Sequence, residues 1–119
     1  MVRDLTAAEK AIIAEMLHGV KEGEEIVNNL DNYKVATLND GGMGSLRIFK
    51  DPEDRTFGEF LSRKIYKDID GTEVVISIIL DRDGVFFELD VWRVDFEPVK
   101  HLGDLKFFGD YNEIAFHMS

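Results

Sequence analysis

Cysteine is absent from the 119 residues, so the chain has no disulfide framework and no thiolate chemistry, which fits a reducing compartment. Long apolar runs are missing too. No stretch approaches the ~20 residues that a membrane span needs. Charges interrupt the opening MVRDLTAAEK, so it lacks the apolar centre of a signal peptide. A soluble, cytoplasmic protein is expected. Positive charge is scarce: 14 Lys and Arg stand against 24 Asp and Glu, a net charge of −10. Phosphate backbones are bound through Lys and Arg, so this balance argues against nucleic acid, and likewise against anionic membrane surfaces. It favours solubility and speeds association with a basic protein partner.

Familiar catalytic patterns are lacking as well. There is no Ser/His/Asp order, no H-E-x-x-H and no Walker sequence. His18, His101 and His117 lie on separate segments without ligand spacing. No catalytic residue, metal site or cofactor is expected on these grounds. Internal repeats, low-complexity tracts and linkers are missing, and the length suits one domain over residues 1–119. A chain of this size buries roughly two thirds of its unfolded surface, and 45% apolar content supports a folded core.

What is present is organised around Thr72 to Phe96, TEVVISIILDRDGVFFELDVWRVDF. Val, Ile, Phe and Trp fill Val74–Leu80 and Val85–Val94, the composition of paired strands. Asp81-Arg82-Asp83-Gly84 separates them, and Asp-Gly is a strong hairpin signal. A turn at Asp83-Gly84 sets Leu80 opposite Phe87, Ile78 opposite Leu89 and Ile76 opposite Val91. Side chains alternate along a strand, so these six share one dry face. The reverse face then carries Val75, Ser77, Ile79 and Asp81 opposite Trp92, Asp90, Glu88 and Phe86. Glu88 and Asp90 sit two residues apart between aromatics. That pattern suits an acidic-aromatic contact surface with Phe86 and Trp92 as anchors. It also suits a carboxylate pair sharing acid and base roles, or holding a divalent metal with Asp81. Simple cross-strand pairing of the acids with Arg47 or Lys64 is the plain alternative.

Around this hairpin, Leu5–Gly19 reads as a helix. Thr6 and Glu9 form a capping box, Ile12, Ile13, Met16 and Leu17 form an apolar stripe, and Gly19 stops it. A shorter helix follows Gly23 and ends near Leu30. Tyr33–Asn39, Ser45–Lys50 and Phe57–Asp68 read as strands, the last bulged near Ser62. The glycine-rich Asp40-Gly41-Gly42-Met43-Gly44 joins two strands and has no lysine, so it reads as a wide turn instead of a phosphate cradle. Asp40 and Met43 are its candidate contact residues. Asp51 to Asp54 is a turn, and Asp68–Gly71 and Asp81–Gly84 are hairpin turns, not calcium loops. A short strand at Leu105–Phe108 and a final edge strand over Ile114, Phe116 and Met118 complete the reading. The expected fold is α+β: an N-terminal helix packed on an antiparallel β-meander of about five strands.

The runs DGGMGSL (Asp40–Leu46) and ELDVWRVDF (Glu88–Phe96), with RDLTAAEKAII (Arg3–Ile13), resemble a family of small bacterial proteins classed as a domain of unknown function. The resemblance implies a stand-alone domain and transfers no catalytic role. Composition and the acidic-aromatic face together point to a protein-binding domain, immunity-like or antitoxin-like. The carboxylate pair supplies the other reading, a small-ligand binder or enzyme.

Overall fold

The computed structural model describes residues 1–50 and 54–111. Seven strands form one antiparallel sheet: β1 (Val2–Asp4), β2 (Lys34–Thr37), β3 (Leu46–Ile48), β4 (Phe57–Lys67), β5 (Glu73–Asp81), β6 (Phe86–Arg93) and β7 (Lys106–Asp110). Their order across the sheet is β1-β2-β3-β6-β5-β4-β7. The expected meander is therefore corrected. Two three-stranded meanders, β1-β2-β3 and β4-β5-β6, are joined through β3 and β6, and β7 returns to pair with β4. The β5–β6 hairpin occupies the middle. The strand expected over Ile114, Phe116 and Met118 lies outside the described residues, as do residues 51–53 of the expected turn.

Helix α1 (Ala7–Met16) begins at Thr6 as its capping box requires. Glu9 N–H donates to Thr6 Oγ1 at 3.1 Å and Thr6 N–H donates to Glu9 Oε1 at 2.9 Å. The same carboxylate also receives Arg3 Nη1 and Nη2, at 2.8 and 2.9 Å. One buried glutamate thus caps the helix and ties it to β1, a strand too short to show in the sequence. Helix α2 (Glu24–Asn28) follows Gly23 as expected.

Both helices cover one face of the sheet. Ile12, Ile13 and Met16 of α1 and Ile26 of α2 share a core with Val35, Leu46, Ile48, Val74, Ile76, Ile78, Leu80, Phe86, Leu89 and Val91. The dry face is thus the helix-covered face. One position is corrected: Leu80 pairs with Phe86, not Phe87. The cause is the turn. Asp81 N–H donates to Val85 O at 2.8 Å, and Gly84, at φ 78°, donates to Asp81 O at 3.0 Å. A three-residue loop is thereby closed, with glycine in the left-handed position that such a loop requires. The register beside it is one residue out of step with Ile79–Glu88, Ile78–Leu89 and Ile76–Val91. A bulge between Phe86 and Glu88 restores the step. Phe86 consequently turns into the core, where its ring meets Tyr33 edge-on at 5.4 Å. Phe87 lies instead under Arg47 and Arg55.

Candidate functional site on the outer face of the sheet

The face opposite the helices is a grid built by strand register. One row is Ile65–Val75–Trp92, the next Arg63–Ser77–Asp90, and the third Phe60–Ile79–Glu88–Arg47. Glu88, Asp90 and Trp92 therefore share this face, as the alternation of β6 implies. Phe86 does not, and its candidacy as a surface anchor is corrected by its place in the core. Phe96 takes that role in space: its ring lies 6.0 Å from that of Trp92 and is 69% exposed. Its φ of 63° is the one left-handed non-glycine conformation among the described residues.

Asp40 reaches the neighbourhood of Asp90 through the glycine-rich loop, and Met43 is tied to it by its backbone N–H. Asp40 accepts hydrogen bonds from Met43 N–H at 3.1 Å and Ser45 N–H at 3.0 Å. These amides are consumed within the loop and do not form an anion cradle. Ser45 Oγ accepts from Val91 N–H at 2.8 Å and donates to Val91 O at 3.2 Å, which buttons the loop onto β6. A side chain at Gly42 would meet Pro98 at 3.4 Å, so the loop rests on the turn that carries Phe96.

The acids differ sharply in their surroundings. Glu88 is ion-paired with Arg47, whose Nε donates to Oε1 at 2.8 Å, as cross-strand neighbours should. Asp90 is pushed up from its ordinary value by burial, then by the Glu88 and Asp40 carboxylates; Arg63 and the Ser45 hydroxyl oppose the shift. Burial acts on Asp40 in the same sense, yet hydrogen bonds from Ser45 and the loop amides hold it below its ordinary range. Asp81 lies apart from these acids. It accepts from Asp83 and Val85 N–H, at 2.9 and 3.0 Å, and pairs with Arg55 at 3.1 Å. A metal shared by Asp81, Glu88 and Asp90 is therefore not supported. Among the described residues no group of three His, Cys, Asp or Glu side chains is placed to hold one.

Three arginines escaped the sequence reading. Arg63 is on the outer face, its guanidinium carbon 4.0 Å from the ring centres of both Phe60 and Tyr111. Arg55 bridges three elements through Asp81, Phe86 O and Ile48 O. Arg93 is buried and donates to Asp68 at 2.8 Å, to Asp70 at 2.6 Å and to Asp95 at 2.8 Å. The clue to Arg93 was its alternation: it follows Leu89 and Val91 onto the apolar face, where a charge demands carboxylate partners. Asp68 and Asp70, read as turn formers, are those partners.

The chain matches the family model described as Domain of unknown function (DUF6984) over residues 2–103, a span that holds β1 to β6 and stops before β7. Neither the curated proteins nor the solved structures gave a match. No helix among the described residues is long and apolar enough to cross a membrane.

Proposed function

The chain belongs to the DUF6984 family, and from that premise we propose that it is a protein-binding domain whose outer sheet face docks a basic partner. One observation carries this reading. The helices cover only one face of the sheet, and the other presents exposed Phe60 and Phe96, with half-buried Trp92 beside Phe96, among charged side chains. Aromatics set in a polar surround are the usual anchors of protein contacts. A net charge of −10 steers a basic partner toward the molecule at long range. An immunity-like or antitoxin-like role, in which a small acidic domain blocks a basic effector, is the form of this function that charge and size favour. The test is capture from native lysate with immobilised protein, comparing the wild type with Phe96→Ser at low and moderate salt. A basic protein retained by the wild type and lost from the variant supports the reading. Equal retention by both, or none by either, removes it.

A second reading rests on the divergence of the two acids. Glu88 is ion-paired with Arg47, whereas burial displaces Asp90 toward its protonated form. Neighbouring carboxylates in unlike environments can divide acid and base roles. A thermal-shift screen with metabolites checks this: a stabilising compound whose effect disappears in Asp90→Asn favours it, and a flat screen ends it.

A further inference from the structure

Arg63 stands apart from the other arginines: Arg82 is unpaired too among the described residues, but it is exposed in the turn after β5. Arg3 pairs with Glu9, Arg47 with Glu88, Arg55 with Asp81, and Arg93 with three aspartates. Arg63 is half-buried, yet among the described residues no carboxylate forms an ion pair with it. This occurs in a chain with ten more acids than bases. The side chain is not loose. Its guanidinium carbon stands 4.0 Å from the ring centres of both Phe60 and Tyr111, and its Nε donates to Ser77 Oγ at 3.1 Å, on a residue with no exposure. Two ring contacts and that one bond restrain the group, and among the described residues no hydrogen bond takes its Nη atoms, the edge that receives an oxyanion bidentately.

We propose that Arg63 is a pre-organised fork for a single carboxylate, presented by the protein that docks on this face; the proposal deepens the docking reading and rests on it. The flanking rows, Ile65–Val75–Trp92 above and Phe60–Ile79 below, are largely apolar and thin the water around the fork, which strengthens a charged contact. Charge selects the ligand. Asp90, Glu88 and Asp40 neighbour one another in the adjoining positions, so a dianionic phosphate meets stronger repulsion than a carboxylate. Their surroundings differ as well: Arg47 pairs with Glu88 and the loop amides satisfy Asp40, while the cation that favours ionised Asp90 is Arg63 itself, helped by the Ser45 hydroxyl. A carboxylate arriving at Arg63 therefore competes with Asp90 for the same cation, and removing the Asp90 charge tightens its binding.

The experiment follows the arginine Nε–H resonances of the full chain by NMR, with acetate, methyl phosphate and chloride added at constant ionic strength. Arg63 is expected to shift saturably with acetate at pH 7, while Arg47 and Arg55 stay still. Asp90→Asn, which removes the carboxylate that competes for Arg63, should bind acetate more tightly than the wild type at pH 7. Arg63→Lys should lose saturable binding. A shift no larger with acetate than with chloride overturns the proposal, as does tighter binding of methyl phosphate. Acetate binding that appears only in Glu113→Gln would give the fork to the chain's own carboxylate, and also overturns it. These titrations need no partner, so their failure leaves the docking reading standing. Once a partner is captured, excess acetate should release it from the wild type; retention unchanged by acetate would assign the fork to a small free acid instead.

Discussion

Gly58→Ala is expected to be among the most damaging single-methyl additions in the molecule. Gly58 sits at the first bulge of β4, between the Phe57–Asp81 and Glu59–Leu80 pairs. A Cβ at this position would lie 2.1 Å from Asp81 O, 2.4 Å from Asp81 C and 2.8 Å from Arg82 N. Atoms in ordinary contact stand ~3.5–4 Å apart, so relief requires one backbone to withdraw from the other by more than 1 Å. Both backbones are constrained. Asp81 closes the β5–β6 turn and anchors Arg55, which in turn holds Phe86 O and Ile48 O. Overpacking in well-packed surroundings costs about 1–3 kcal/mol. Loosening the hydrogen bonds around Arg55 adds about 1–2 kcal/mol. A total near 3 kcal/mol, with a urea slope of ~1.5 kcal/mol/M, lowers the unfolding midpoint by about 2 M. Gly109→Ala is the internal control, because no atom lies within 4 Å of its added Cβ. That variant should unfold within ~1 kcal/mol of the wild type, on the stabilising side if chain entropy dominates. If the two variants unfold at the same midpoint, the close approach of β4 to the turn is refuted.

Further predictions concern groups whose environments are equally specific. Arg93 holds Asp70 and Asp95 below the ordinary carboxylate range; at Asp68 burial opposes the same shift, and backbone N–H groups with Arg93 prevail. Depressed folded values mean that this stability is complete above the unfolded values near 4 and is lost as pH falls through and below them. Arg93→Met should destabilise the protein at pH 7 and flatten its loss of stability below about pH 5, as followed by thermal unfolding across pH. Asp90 shows the opposite sign: its raised value means the ionised form costs stability above that value. Asp90→Asn should therefore raise Tm at pH 7, with the gain shrinking as acid protonates the wild-type residue. Thr6→Ala removes the capping bond to Glu9 N–H and should cost about 1 kcal/mol in urea unfolding.

The middle of the sheet was readable because its signals are local and redundant. Ile76, Ile78, Leu89 and Val91 alternate with Val75, Ser77, Glu88 and Asp90, and any register one residue off would have buried both acids. The capping box of Thr6 and Glu9 was equally explicit. Phe86 and Phe87 were not assignable by the same rule. Two adjacent phenylalanines carry no alternation, and a three-residue turn displaces the register by one step before the bulge restores it. The joining of β3 to β6 was hidden because it links residues 41 positions apart, Arg47 and Glu88, whose charges show only that they can pair. Of the candidate contact residues, alternation placed Glu88, Asp90 and Trp92 together. Asp40 came to them only through the Ser45–Val91 contact, which no spacing announces, and Met43 is joined to Asp40 by its backbone N–H alone. Arg63 was invisible as a surface feature because its contacts come from β4 and Tyr111, outside the hairpin, and Phe96 because its place depends on a left-handed turn after β6.

Chemical cross-linking of the captured complex, followed by mass spectrometry, tests the docking claim most directly. Lys67 of β4 lies at the border of the outer face, while Lys10 and Lys21 lie on the helical side. Docking on the outer face predicts partner cross-links at Lys67 and none at Lys10 or Lys21, with capture abolished by Phe96→Ser. Cross-links confined to the helical lysines, with capture indifferent to Phe96, would contradict it.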